Sequence, residues 1–245
     1  MEVHHHPELP HGKKKHFKEY ALEFLMIFLA VTMGFIAESL REHISDNSKE
    51  KEYIKGFIKD LKSDTTQLNF SINGNQNQLK GLDSLKNISK NKLAEFKIQD
   101  SLYLFHNRYL HGFSAFLNDD VTLIQLRNTG NYRLIRNDGV LDSIAFYQKN
   151  MDGLDLQFGF LSRSLEQILN MSNSIFDLTS YDKFQLHPSS TSILLTNNKI
   201  EIYEFYNRSY LFSQSLTSYN RMLKHQLEYS ARLIAYLKKS YGVEQ

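Results

Sequence analysis

The chain has 245 residues, a formal net charge of +2 and no cysteine. The near-neutral charge offers no basic field of the kind that binds nucleic acid, and the lack of cysteine excludes disulfides, cysteine-ligated zinc and thiol catalysis. Only 3 prolines and 11 glycines occur. Because these residues are the main helix breakers, the composition favours long helices.

The first 18 residues, MEVHHHPELPHGKKKHFK, combine histidines and lysines. Neutral imidazoles can ligate a divalent metal, but the spacing matches no defined site. Pro7, Pro10 and Gly12 keep the segment irregular. We therefore interpret residues 1–18 as a disordered cytoplasmic tail with adventitious metal affinity, and we expect no cofactor. The histidines are His4, His5, His6, His11 and His16.

Residues 23–39 read EFLMIFLAVTMGFIAES, an uncharged run between two glutamates. A helix from Tyr20 to Leu40 rises roughly 31 Å, which is enough to cross a hydrocarbon core of ~30 Å. A cleaved signal peptide would need a small-residue cleavage site and a mature start, whereas this run passes straight into a charged helical pattern. A buried core helix fits poorly because the run is apolar on all faces. We predict one transmembrane helix over residues 19–41.

The charges that flank this helix predict its orientation. Lysines crowd its N-terminal side, whereas only Arg41 lies close on the other side. By the positive-inside rule, the N-terminus is then cytoplasmic and the bulk of the chain lies in a bacterial periplasm, with the span in the inner membrane. The lysines are Lys13, Lys14, Lys15 and Lys18.

One face of the predicted span carries small residues together with glutamate. Glu23, Ala30 and Gly34 fall on the same side of a helix, with Glu38 beside them. Ala30 and Gly34 form a small-xxx-small pair, which lets two helices approach closely in lipid. We predict a helix-contact face for self-association or for docking on another membrane protein. A plain anchor whose glutamates reach the two interfaces is an equal alternative.

Apolar residues at steps of three and four predict a helix from about Lys49 to Lys90, with Thr65 and Asn75 as exceptions in its seam. A shorter helix is predicted over about Ser101–Leu117. The run VTLIQLRN predicts another, which Asn118-Asp119-Asp120 caps and Gly130 ends.

Two long helices are predicted in the second half of the chain. Asn137-Asp138-Gly139 opens the first, whose apolar stripe continues to Ile175. Residues 179–199 form a polar connection in which SILLT predicts a short strand, and a last helix runs from about Lys199 to Tyr241. No such helix can bury its stripe alone. The predicted fold is therefore all-α, with an elongated antiparallel helical bundle over residues 42–245.

Candidate chemistry is sparse. His106 and His111 are five residues apart, which places them on different helix faces and excludes a helical metal pair. Arg127, Arg133 and Arg136 crowd a glycine-containing turn between helices. Three guanidinium groups there suit an anion or the carboxylates of neighbouring helices. A structural corner, with arginines that pair locally, is the favoured interpretation.

The stretches HHHPELPHGKKKHFKEYALEFLMIFLAVTMGFIAESLREHISDNSKEKEYI and TLIQLRNTGNYRLIRN together resemble a family of uncharacterised bacterial single-span membrane proteins. Its members share a histidine- and lysine-rich start, one span and a Leu-x-x-x-Gly-x-x-x-Leu-Ile corner, which here is Leu126, Gly130, Leu134 and Ile135. The resemblance implies that the histidines are native and that a helical domain lies outside the cytoplasm. It brings no activity and no functional residues.

Four functional hypotheses remain, and the favoured one is a membrane-anchored interaction or scaffold protein in a homo- or hetero-oligomeric complex. An oligomeric ion-conducting protein, with rings of Glu23 and Glu38, explains the glutamates but not the apolar remainder of the span. A sensory bundle that binds a ligand near the arginines lacks a second span. An enzyme is the least favoured. The expected partners are the lipid bilayer and the protein itself or another membrane protein, with neither nucleic acid nor an evident small-molecule substrate.

Overall fold

The computed structural model describes residues 17–180 and 193–243. Within these residues the secondary structure is entirely helical, which confirms the all-α prediction. Short 3₁₀ turns lie at Ser84–Asn87, Lys90–Lys92, Asn131–Leu134 and Leu178–Ser180. The α-helices are α1 (Phe17–Asp83), α2 (Phe96–Tyr109), α3 (Val121–Asn128), α4 (Asp138–Ile175) and α5 (Lys199–Tyr241).

The chain divides into two compact units, Met1–Glu50 and Lys51–Gln245, and α1 contributes to both. The seam predicted from about Lys49 thus belongs to the same helix as the apolar run. This helix ends at Asp83, earlier than predicted, because the chain continues in 3₁₀ turns.

The described part of the first unit is a long apolar helix. By length and composition it is the one helix among the described residues that suits a membrane span, although a signal sequence shows the same features. Its apolar side chains are exposed throughout, with Phe24 at 70% and Phe35 at 73%. The predicted histidine-rich tail lies outside the described residues, apart from its last two positions.

In the second unit, the predicted apolar stripes form the core. Fully buried members include Leu61, Leu68, Leu161, Ile168, Phe205 and Leu216. Phe158 is an exception: it is 36% exposed and packs its ring against that of Phe113, 5.5 Å away. A seam read from spacing alone places Phe158 wrongly because it lies at the margin of the stripe.

α4 and α5 pack against each other and run in opposite directions. As the position along α4 rises, the position of its hydrogen-bond partner on α5 falls. The pair is therefore held by polar contacts as well as by its buried apolar seam. The pairs are Ser143 with Tyr229 (2.9 Å), Asn150 with Gln226 (3.1 Å) and Gln167 with Arg208 (2.8 Å).

The predicted bounds of the two later helices are confirmed, and the structure shows the residues that cap them. The Asn137 side chain caps α4 by accepting a hydrogen bond from the Val140 N–H at 3.2 Å. Asn198 caps α5 in the same way through the Ile200 N–H at 3.0 Å. Gly242 then ends α5 in the left-handed region.

Two predicted elements differ from the structure. α2 ends at Tyr109, and residues 110–120 are irregular instead of continuing the helix to Leu117. The predicted strand SILLT begins outside the described residues, and residues 193–196 are not in a strand. Instead the Leu195 N–H donates to the Ile175 carbonyl at 2.9 Å. This single backbone bond does not build a ladder.

Candidate functional site

The predicted contact face in the first unit lies on the exposed surface of α1. Glu23, Ala30 and Gly34 are all exposed. A Cβ atom placed on Gly34 would meet no atom within 4 Å. Nothing in the described part of the chain therefore covers this face, and a second helix has room to approach it.

Glu38, the fourth member of this face, forms an ion pair with Arg41 one turn further along α1. The guanidinium Nε lies 2.9 Å from Oε2 and Nη2 lies 2.5 Å from Oε1. Both side chains are exposed. A bidentate pair neutralises the carboxylate, which reduces the cost of a charge near a membrane interface.

The predicted arginine corner lies at a turn of the backbone, with its cations on the outside. Gly130 adopts φ 67°, the left-handed conformation that favours glycine, between α3 and a 3₁₀ turn. Leu126, Leu134 and Ile135 are buried beneath the turn, which gives the Leu-Gly-Leu-Ile pattern a packing role. The three arginines are exposed, namely Arg127, Arg133 and Arg136.

Residues 110–120 connect α2 to α3, and we call them the α2–α3 segment. A polar stripe on α1 binds this segment and the adjoining ends of α2 and α3. The stripe consists of Asp60, Asp64, Ser71, Asn75 and Gln78, and sequence reasoning identified only Asn75 as unusual. Their spacing of four, seven, four and three places them on one side of the helix. All five bind backbone groups, so this stripe serves an irregular stretch of chain that has no ladder of its own.

The C-terminal half of the stripe binds backbone carbonyl groups of the segment and of the last residue of α2. The Ser71 hydroxyl donates to the Ala115 carbonyl at 2.7 Å. The Gln78 amide donates to the carbonyls of Tyr109, at 3.0 Å, and Gly112. The close approach depends on Gly74, because a Cβ atom there would overlap the Ser114 side chain.

At the N-terminal end of the stripe, two carboxylates accept hydrogen bonds from backbone N–H groups around the start of α3. Asp60 accepts from the Thr122 N–H at 2.9 Å, and Asp64 accepts from the Asp119 N–H at 2.7 Å. The prediction that Asn118-Asp119-Asp120 caps the helix locally is wrong, because the side chain of the N-cap residue Asp120 makes no capping bond. Carboxylates of α1 accept from the backbone there instead. Carboxylates at a helix N-terminus also interact favourably with its dipole.

Asp64, which belongs to no predicted site, is a carboxyl group with a strongly shifted pKa. It is fully buried and accepts a hydrogen bond from the Tyr147 hydroxyl. Burial raises the pKa of Asp64 to about 6, against the opposing effect of the bonds from Tyr147 and the Asp119 N–H. Burial, followed by the nearby Asp64 carboxylate, raises the pKa of Tyr147.

His106 is buried in an aromatic cluster. Its ring stacks on Phe176 with centroids 4.6 Å apart and lies 6.4 Å from Phe205. Burial, with a smaller contribution from His111, lowers the pKa of His106 to about 4. His106 is therefore a neutral core residue at neutral pH. Among the described residues no group of three or more potential metal ligands comes together.

No family model matches this chain, and no curated protein or solved structure is similar to it. The resemblance to a single-span membrane family therefore stays a prediction.

Proposed function

We propose that this protein is a membrane-anchored, non-enzymatic interaction or scaffold protein that acts in a homo- or hetero-oligomeric complex of the bacterial inner membrane. Residues 1–18 form its cytoplasmic tail, residues 19–41 its transmembrane helix, and residues 42–245 an elongated antiparallel helical bundle in the periplasm. The observation that carries this proposal is the exposed apolar surface of the first part of α1.

The anchor explains why that surface stays uncovered. The large side chains between Phe24 and Ile36 are 48–73% exposed, and none of the apolar window is buried. Contiguous apolar surface of this extent marks a membrane or protein contact. A lipid bilayer solvates such a helix on all sides, and the ion pair of Glu38 suits the membrane boundary.

The second unit supports the scaffold role through its helix pair. Hydrogen bonds that involve side chains join α4 to α5 along much of their length. They extend from the pair Ser143 and Tyr229 to the pair Gln167 and Arg208. The polar stripe of α1 then fixes the α2–α3 segment. These contacts are consistent with a rigid bundle whose outer helical faces are available to partners.

An ion-conducting oligomer is the weaker candidate. Its pore would need Glu38 to face ions as a free charge. The carboxylate instead pairs with Arg41 of its own helix at 2.5 Å, which removes most of its field.

Topology tests the location. A reporter that is active only in the periplasm is expected to work when fused after Gln245 and to fail when fused after Glu2, because lysines flank the N-terminal side of the span. The reverse pattern would contradict the orientation.

The assembly is tested by the mass of the detergent-solubilised protein. A mass above that of one chain agrees with a complex. A single-chain mass, with no partner recovered after crosslinking in cells, contradicts it.

A further inference from the structure

A groove of about 530 Å³ lies between α4 and α5 in the second unit. None of its lining residues belongs to the polar stripe of α1 or to the arginine corner. Its volume is within the range of small-ligand pockets, roughly 300–1,000 Å³. The lining residues on α5 extend from Arg221 to Arg232, which is ~16 Å of helix. The groove therefore has the length of a small molecule.

The rim of the groove is basic. Arg221 and Arg232 on α5 and Lys149 on α4 line it, together with His225, and none of the lining residues is acidic. Arg221, His225 and Arg232 are spaced by four and seven residues, so they lie along one side of α5. Lys149, Arg221 and Arg232 are exposed. In the described parts of the chain, the ion pairs involve other residues.

The floor of the groove is apolar and aromatic. The ring of Phe146 is half-exposed and lies 4.9 Å from the ring of Tyr229. Leu154 and Met222 complete this surface. Gly153 keeps it open, since a Cβ atom there would contact only the Met222 methyl group, at 3.7 Å. A larger side chain at that position would extend into the groove.

We propose that this groove binds a small amphipathic dianion, a molecule with an aromatic or branched apolar body and two acidic groups of the carboxylate, sulfonate or phosphate type. The three cations suffice to pair with two acidic groups, and arginine presents paired N–H donors to such groups. Phe146, Leu154 and Met222 contact the apolar body. An acidic protein segment fits less well, because a docked helix would need a longer apolar track than the groove provides.

The proposal is tested by calorimetric titration of naphthalene-1,5-disulfonate into the full-length protein in an uncharged detergent, with a detergent blank. We expect saturable binding with one site per chain. Arg221→Gln should weaken the binding about tenfold, since it removes one charge-assisted contact. Arg163→Gln, which removes an exposed cation from α4 outside the groove, should change the affinity by less than about twofold.

Two further comparisons separate the groove from simple charge attraction. Gly153→Met should fill the groove and abolish binding, whereas Gly159→Met, on the same helix outside it, should preserve binding. The neutral naphthalene-1,5-disulfonamide and inorganic sulfate should each bind at least about tenfold more weakly than the disulfonate, since each lacks one half of the recognised chemistry.

Several results would overturn the proposal. If Arg163→Gln and Arg221→Gln lowered the affinity equally, or if sulfate bound as tightly as the disulfonate, the binding would be due to surface charge alone. The absence of saturable binding up to roughly 1 mM would show that the groove does not take this class of ligand. A lower mass of the solubilised complex in Arg221→Gln, with unchanged disulfonate binding, would assign the basic rim to a protein partner instead.

Discussion

Asn75 of α1 forms a reciprocal pair of hydrogen bonds with the backbone of Ser114. Its Nδ2 donates to the Ser114 carbonyl at 3.0 Å, and its Oδ1 accepts from the Ser114 N–H at 2.8 Å. Asn75 is fully buried, and the two bonds to Ser114 are partly buried. One side chain thus replaces the pairing that a neighbouring strand would provide.

Asn75→Ala is therefore expected to destabilise the second unit. Two partly buried backbone groups would lose their partner, and an unsatisfied buried group costs about 1–3 kcal/mol. We expect a loss of about 2–4 kcal/mol in the free energy of unfolding, measured by urea denaturation of the full chain in a mild detergent.

Asn69→Ala is the matched control. Asn69 is exposed on the same helix and bonds only to the Thr65 carbonyl of its own helix, at 2.8 Å. It should change the free energy of unfolding by less than about 0.5 kcal/mol. Equal effects of the two substitutions would show that the pairing with Ser114 contributes nothing specific.

The sequence predicted the elements that depend on local signals. α4 and α5 begin at capping asparagines and follow regular apolar stripes, so their bounds were predicted within a residue. The end of α2 was predicted too late. Gly112 weakens a helix at this point, and the carbonyls of Tyr109 and Gly112 accept from Gln78 of α1, a tertiary contact that the sequence does not show. The roles of Asp60 and Asp64 were also missed, since a carboxylate beside an apolar seam usually indicates a solvated face.

The seam of α1 did contain one usable signal. Asn75 is a polar residue at a position where spacing demands an apolar one, and such exceptions mark either a partner or a helix end. Its partner, Ser114, is 39 residues away. A single sequence carries no information on that pairing, which depends on tertiary packing.

Asp64→Asn is expected to change how stability depends on pH. The pKa of Asp64 rises from 3.8 to about 6 on folding, mainly through burial. The folded state thus binds this proton more tightly than the unfolded state. Its contribution is fully present below about pH 4 and is lost as the pH rises through about 6. The wild type should therefore lose about 2 kcal/mol relative to Asp64→Asn between pH 4 and 7.

Asparagine suits this position because its Oδ1 can still accept from the Asp119 N–H and its Nδ2 can donate to the Tyr147 oxygen. Denaturant titrations at a series of pH values measure the difference between the two proteins. Asp142→Asn, at an exposed position of α4, should give a profile parallel to that of the wild type. A constant difference between wild type and Asp64→Asn would show that Asp64 titrates alike in both states.

His106→Phe should produce a difference of the opposite sign. The pKa of His106 falls from 6.5 to about 4 on folding because the ring is buried. The unfolded state then binds the proton more tightly, so the wild type loses stability as the pH falls from about 6.5 to 4. Phenylalanine keeps the stack on Phe176 without a titrating group. Relative to His106→Phe, the wild type should lose about 3 kcal/mol over this range, and a pH-independent difference would contradict the assignment.

Gly34→Leu is expected to lower the mass of the detergent-solubilised protein. Gly34 lies on the face that Glu23 and Ala30 share, and its surroundings are open. In lipid, close contact between helix backbones depends on small residues, and a leucine at the contact point holds the helices apart. Phe35→Leu is the control, because Phe35 is 73% exposed on a neighbouring face and leucine there preserves an apolar side chain. The expected result is a smaller complex for Gly34→Leu and an unchanged mass for Phe35→Leu. A reduced mass for Phe35→Leu alone would move the contact to the other side of the helix.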